Sequence, residues 1–212
     1  MLLNATSAKS LSAALGRVPI WLVYAAGFVP AVAYFTLGVL DRLGADPLNT
    51  LERELGEWAL LFLIGGLSIT PLRQIVGISL LRYRRAIGLL AFWYAALHLT
   101  VYLVLDQGLD WAAIWADLVK RPYITVGMAG FLVLVPLAVT SNNASIRRLG
   151  SRWNRLHKLV YVAAAAGALH YVMLVKAWPL EPLVYAALVA ALLAYRAVRA
   201  FWRTPRTRAA RA

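Results

Sequence analysis

Six stretches of this chain are nearly free of charge and close to the length needed to cross a lipid bilayer, and little sequence is left over for anything else. A hydrocarbon core of ~30 Å takes roughly 20 helical residues. The runs fall at about Val18–Leu40, Trp58–Leu72, Ala86–Leu105, Tyr123–Val139, Leu159–Val175 and Leu183–Trp202. The second and fifth are short by apolar count and reach full length if Glu57, Arg73, Lys158 and Lys176 snorkel at their ends. Lipid offers no partners to backbone N–H and C=O groups, so runs of this length must be helical. The pattern predicts an all-α polytopic membrane protein of six transmembrane helices. Composition agrees, with 62% hydrophobic residues against roughly 45–50% apolar in soluble domains. The first run contains "AVA" at Ala31–Ala33, which mimics a cleavage site. It is longer than a signal h-region, so a retained anchor is expected.

Charge is sorted between the runs. Seventeen of the 22 Lys and Arg lie in the N-terminal segment, the Arg73–Arg85 loop, the Ser141–Lys158 loop and the tail from Arg196. The alternate loops hold Arg42, Arg53, Lys120, Arg121 and Lys176, together with all nine acids: Asp41, Asp46, Glu52, Glu54, Glu57, Asp106, Asp110, Asp117 and Glu181. The positive-inside rule then puts both termini in the cytoplasm. The expected organisation is a cytoplasmic segment over 1–17, a six-helix membrane domain over 18–202 and a basic cytoplasmic tail over 203–212. The net charge of +13 reads as membrane orientation and not as nucleic-acid binding. No loop is long enough for a nucleotide-binding fold, and no Gly-rich phosphate motif stands in the right context. With no cysteine, disulfides, Cys-ligated zinc, iron–sulfur clusters and covalently attached c-type haem are excluded. Trp21, Trp58, Trp111, Trp115, Trp178 and Trp202 fall near the proposed interfaces, as aromatic belts do.

The three histidines carry the functional signal. They are His98, His157 and His170, and none lies in the acidic loops or the tails. An ionisable residue inside a span points to function, with metal or haem ligation, proton relay and interhelical hydrogen bonding as the choices. Counting at about 1.5 Å per residue, His98 lies ~18 Å along the third helix from Ala86, and His170 ~17 Å along the fifth from Lys158. Two imidazoles at matched depth on two helices running the same way make a bis-histidine haem site between bundle helices. Zinc is disfavoured, because no third ligand stands at that depth.

His157 sits at the cytoplasmic end of the fifth helix, ~20 Å below His170. A second haem there meets two obstacles. Thirteen residues turn an ideal helix by about 1,300°, which leaves the two side chains roughly 140° apart. The third helix also offers no second histidine, since the positions fourteen and thirteen residues before His98 are Arg84 and Arg85. Those arginines suit haem propionates, a flavin phosphate or a quinone, or serve only as positive-inside charges. The loop "TSNNASIRRLGSRWNRLH" reads as a polar turn followed by a basic amphipathic helix bearing Ile146, Leu149, Trp153 and Leu156. It suits interfacial anchoring or the docking of an electron donor. Met128 and Met173 read as packing residues.

The stretches "WALLFLIGGLSITPLR", "RRAIGLLAFWYAALHLTVYLVLD", "KRPYITVGMAGFLVLVPLAVTSN" and "RRLGSRWNRLHKLVYVAAAAGALHYVML" run from Trp58 to Leu174. Through them the chain resembles the MsrQ (YedZ) family, within the ferric-reductase-like transmembrane superfamily. The resemblance implies a ferric-reductase-like haem-binding bundle in the bacterial inner membrane. It implies an electron-transfer subunit of an oxidoreductase complex, with one or two b-type haems and the substrate chemistry on its partner. The implied partner is MsrP, a periplasmic molybdopterin reductase that repairs methionine sulfoxide in envelope proteins. The implied donor is the quinone pool or reduced flavin from a cytoplasmic flavin reductase, with FMN and quinone as further cofactors. His98 and His170 match the family's intramembrane histidines, and His157 its loop-proximal one. NADPH oxidases, larger relatives, carry four histidines and a fused flavin domain; three histidines and no such domain make a separate donor necessary here.

Two other functions are consistent with the residues. One is a ferric or quinone reductase with another acceptor. The other is a proton-coupled transporter using the histidines as relays, against which the six runs hold no Asp or Glu and no broken-helix pair.

Overall fold

A computed structural model describes residues 5–175 and 179–209, all of them helix, turn or irregular chain with no strand. Lys176 and Trp178, assigned above to snorkelling and to the aromatic belt, lie outside the described residues, as does Arg211 of the basic tail. Among the described residues six helical segments are long and apolar enough to cross a membrane: Ile20–Val39, Pro47–Val76, Leu81–Asp106, Pro122–Val139, Ser151–Leu174 and Leu180–Trp202. The helices are α1 (Ala5–Leu15), α2 (Ile20–Val39), α3 (Pro47–Pro71), α4 (Arg84–Thr100), α5 (Trp111–Lys120), α6 (Pro122–Val139), α7 (Asn143–Leu149), α8 (Ser151–Leu156), α9 (Val160–Leu174) and α10 (Leu180–Ala209). Two antiparallel hairpins, α3 with α4 and α6 with α9, form the centre of the bundle, with α2 and α10 on its flanks.

The second span starts eleven residues before the apolar count predicts. Asp46 caps α3 by accepting from the Asn49 N–H at 3.1 Å, and Pro47 stands at the first helical position, where its missing N–H costs nothing. Leu51, Leu55 and Ala59 are buried one turn apart. Glu52, Arg53, Glu54 and Glu57 therefore belong to the helix and not to a loop, which corrects the expectation that the spans hold no acid. At its other end α3 widens into a π-helical turn over Leu72–Val76, closed by Gly77 in the left-handed region at φ +83°. Pro71 has no N–H to give the Leu67 carbonyl. The Arg196 guanidinium on α10 supplies that donor instead and lies over the Tyr161 ring, 5.3 Å from its centroid.

Tyr94 on α4 is fully buried and ties in α2. Its hydroxyl donates to the Gly27 carbonyl at 2.7 Å and accepts from the Ala31 N–H at 3.0 Å, entering the α2 ladder one residue from Pro30. Its ring packs on Phe62, Phe28 and Trp58. The other faces of α2 expose Trp21, Val29, Val32 and Val39, a side suited to lipid. Charge divides the molecule into an acid-bearing end, where α3, α6 and α10 begin, and a basic end, where α4 and α8 begin.

Three local features depart from the sequence reading. The N-terminal segment contains α1, held at the basic end by the Ser12 hydroxyl, which accepts from the Ser79 N–H at 3.1 Å. The loop after α4 contains α5, capped by Asp110 through the N–H groups of Ala112 and Ala113. The amphipathic segment before α9 is two short helices, because Gly150 at φ +52° turns the chain between Leu149 and Ser151.

Candidate functional site

His98 and His170 come together between the two central hairpins. Their ring centroids are 6.1 Å apart and their planes stand at 78°. His98, on α4, places Nδ1 2.8 Å from the carbonyl oxygen of Glu52 on α3. His170, on α9, places Nδ1 2.7 Å from the carbonyl oxygen of Tyr123 on α6. A carbonyl only accepts, so each Nδ1 carries the hydrogen and each Nε2 keeps its lone pair. Ligating histidines are held in this way, with the second nitrogen donating to a backbone carbonyl or carboxylate. Two imidazoles bound through Nε2 on opposite sides of one metal, each with a bond of ~2 Å and a nitrogen ~1 Å from its ring centre, put their centroids ~6 Å apart.

Both rings line a cavity of about 560 Å³ between α3, α4, α6 and α9, within the usual range of cofactor pockets. Small side chains, Ala59, Ala95, Gly130, Ala163 and Gly167, stand among larger ones such as Leu60 and Phe131 in its walls. They leave a slot between four helices where larger residues would close it. Its mouth lies at the acid-bearing end and includes Asp46, Glu52, Asp106, Arg53 and Arg121. Arg53 donates to the Tyr171 hydroxyl at 3.2 Å and pairs with Glu181 at 3.1 Å. Arg121 pairs through Nε with Asp117 at 3.1 Å, and the Tyr102 hydroxyl donates to the same carboxylate at 3.2 Å.

His157 is elsewhere and differently bound. It opens a 3₁₀ turn, His157–Leu159, between α8 and α9. Three residues at roughly 120° each, in place of 100°, reduce its angular offset from His170 to roughly 80°. The Thr140 hydroxyl gives its hydrogen to the Pro136 carbonyl at 2.6 Å. The same oxygen lies 3.0 Å from His157 Nε2 and so accepts from it. The ring stacks on Trp153 with centroids 3.8 Å apart, and the Trp153 indole N–H donates to the Thr140 carbonyl at 2.9 Å. Arg84 and Arg85 are exposed at the start of α4, with Arg85 donating to the Asn143 side-chain oxygen. Met128 lines the cavity, while Met173 is exposed.

These residues fit a haem. The ring centroids stand at the separation of a bis-imidazole iron, both Nε2 atoms are free of hydrogen bonds, and the rings share one cavity. The mouth offers Arg53 and Arg121 to an anionic edge. Among the described residues no group of three or more His, Asp or Glu side chains converges on a point, so a zinc site would lack the third protein ligand it needs beside the two histidines. Arg53 and Arg121 escape a sequence search because they look like ordinary loop charges. Their signal is position: each lies within two residues of a backbone carbonyl that orients a histidine.

The family model for the ferric reductase like transmembrane component matches residues 52–168. Curated relatives from Brucella ovis, Brucella suis and Brucella abortus are each 60% identical to this chain over 189 residues, covering 89% of it and 86% of the relative. Each of those proteins is named protein-methionine-sulfoxide reductase heme-binding subunit MsrQ. No solved structure matches the chain.

Proposed function

The chain belongs to the ferric reductase like transmembrane family, among the MsrQ heme-binding subunits, and from that premise we propose that it is a multi-pass membrane electron-transfer subunit holding b-type haem between His98 and His170. The single observation that carries this reading is the histidine pair, with both Nδ1–H groups tied to carbonyls and both Nε2 atoms free across a 6.1 Å centroid separation. Bound there, haem supplies a one-electron iron couple inside the bilayer.

The protein's own contribution is to position, insulate and orient. Four helices fix the two imidazoles, and the backbone carbonyls hold both in one tautomer. Apolar walls keep water from the slot and favour the less charged ferrous state. Arg53 and Arg121, which line the mouth at the acid-bearing end, would hold the anionic edge of the haem. The excess of Lys and Arg at the other end supports an orientation with both termini in the cytoplasm of a bacterial inner membrane. Electrons then enter at the basic end and leave at the acid-bearing end. Arg84, Arg85 and His157 suit the phosphate of FMN or the carbonyls of a quinone there. The relatives' name, heme-binding subunit of a protein-methionine-sulfoxide reductase, supports such a reductase as the acceptor, and the acceptor we propose is MsrP, a periplasmic molybdopterin enzyme.

Purified protein is expected to show the absorbance of low-spin six-coordinate haem. His98→Ala and His170→Ala are each expected to remove it, and the reduced wild type is expected to be reoxidised by MsrP. Protein purified from haem-replete cells without a Soret band overturns the reading. Reoxidation by a ferric chelate or quinone but not by MsrP favours a reductase with a different acceptor.

A further inference from the structure

We infer that Gly56 and Gly127 are positioning residues for the two cavity imidazoles, each admitting a histidine to the backbone carbonyl one turn earlier in its helix; this rests on the haem-binding reading above. In an α-helix the Cα–Cβ bond tilts toward the N-terminus, so a side chain at position i+4 stands over the carbonyl of position i. Gly56 stands four residues after Glu52, and Gly127 four residues after Tyr123. A Cβ at Gly56 would lie 3.1 Å from His98 Nδ1 and 3.2 Å from its Cε1. A Cβ at Gly127 would lie 2.7 Å from His170 Nδ1 and 3.0 Å from its Cε1. In both cases the atom nearest the added Cβ is the nitrogen that donates to the carbonyl.

The device occurs twice, once in each central hairpin. A carbonyl and a glycine four residues later stand on the descending helix, and the histidine stands on the returning helix, 46 residues beyond Glu52 in one hairpin and 47 beyond Tyr123 in the other. What a Cβ would meet sets these glycines apart from others on the same helices: on α6 one at Gly130 would meet Ala166 Cβ at 3.1 Å, a contact between helices that involves no histidine. On α3, a Cβ at Gly65 would meet only Ile87 Cγ2, at 3.9 Å, an ordinary contact. What Gly56 and Gly127 clear is the Nδ1–H to carbonyl path. That hydrogen bond leaves Nε2 facing the cavity and makes it a more basic ligand. A more basic axial nitrogen favours ferric iron and lowers the reduction potential.

The test compares the full-length protein purified with haem, Gly127→Ala, Gly56→Ala and the control Gly65→Ala, by optical spectra and redox titration. Gly127→Ala, the tighter site, is expected to lose its sixth ligand in part, giving a high-spin fraction that added imidazole restores to low spin. Its haem affinity is expected to fall ~10–100-fold, as for other losses of support behind a ligand. Gly56→Ala is expected to stay low-spin with its midpoint potential raised. Gly65→Ala is expected to do neither. Haem-free protein carrying 15N-labelled histidine supplies a separate readout, because the Nδ1–H tautomer of the affected histidine should lose population in the matching variant. Wild-type spectra, potential and tautomers in both variants overturn the inference, and so does an equal shift in Gly65→Ala. If the wild type binds no haem the functional reading falls, while the tautomer measurement still decides the role of the glycines.

Discussion

His170 and His157 stand on one stretch of chain thirteen residues apart, yet they present opposite chemistry. His170 donates from Nδ1 to a carbonyl and turns a bare Nε2 toward a cavity, with His98 across from it. His157 uses Nε2 on Thr140 and lies flat on Trp153, with the charge of Arg84 on α4 acting on it. On the proposed haem reading, what suits a histidine to be a ligand is the hydrogen bond its second nitrogen makes and the space in front of the first. The acid-bearing half of the bundle keeps that space open with Ala95, Gly130 and Gly167. Toward the basic end, Leu67, Ala91 and Ala164 pack into a closed core.

The largest expected effect tests that contrast directly. His98→Ala and His170→Ala should each abolish the haem of the cavity, whereas His157→Ala should leave its low-spin spectrum intact. Haem per protein, measured as the pyridine haemochrome, decides it. Equal losses in all three variants would erase the distinction, and a loss of half the haem in His157→Ala would mean a second haem at the basic end. Next in size is closure of the slot. A Cβ at Gly167 meets its nearest neighbour, Leu60 Cδ1, at 3.7 Å, so a larger side chain has room to start but must grow into the cavity. Gly167→Leu should cost most of the haem while the haem-free protein melts near the wild-type temperature. Full haem content in that variant would mean that the slot is not the binding site.

Much of this was legible in the sequence, and the parts that were not share a cause. Six spans follow from the length of apolar runs, and the matched depth of His98 and His170 follows from counting residues along helices of fixed rise. Hydropathy alone starts the second span at Trp58, because it weighs Glu52, Arg53, Glu54 and Glu57 as loop. The cap at Asp46, the proline after it and the spacing of Leu51, Leu55 and Ala59 mark a helix start there. The hydrogen bonds to the Glu52 and Tyr123 carbonyls have no side-chain signature, since any residue carries a carbonyl. The recurrence of a glycine four residues later becomes visible only once the hairpin partners are known. An unbroken α-helix would leave His157 roughly 140° from His170, and the 3₁₀ turn through which the chain enters α9 narrows that to roughly 80° without bringing the two onto one face.

A smaller effect probes the basic end. Thr140→Val keeps the shape of the side chain and removes the oxygen that accepts from His157 Nε2 and donates to Pro136. Loss of a hydrogen bond at this half-buried site should destabilise the protein by ~1 kcal/mol, read as a lower unfolding temperature in detergent. The haem spectrum should not move. A spectral change would show that His157 and Thr140 lie against a cofactor, and the two halves of the bundle would then differ less than their geometry indicates.

The smallest effect separates a structural from a functional arginine at the mouth. The Arg53 and Glu181 side chains keep 45% and 43% of their exposure, so their ion pair is screened and worth at most ~1 kcal/mol. Arg53→Gln should therefore leave stability almost unchanged. It should nonetheless lower the haem midpoint potential, because a cation at the mouth favours the reduced, more negative state, as an axial ligand environment does by other means. Glu181→Gln removes the competing anion and should move the potential the other way. Opposite shifts would identify the mouth as the electrostatic control of the site. Shifts of one sign in both variants would instead report a general loosening of the contacts between Arg53, Tyr171 and α10, and the acid-bearing end would then contribute its backbone carbonyls alone.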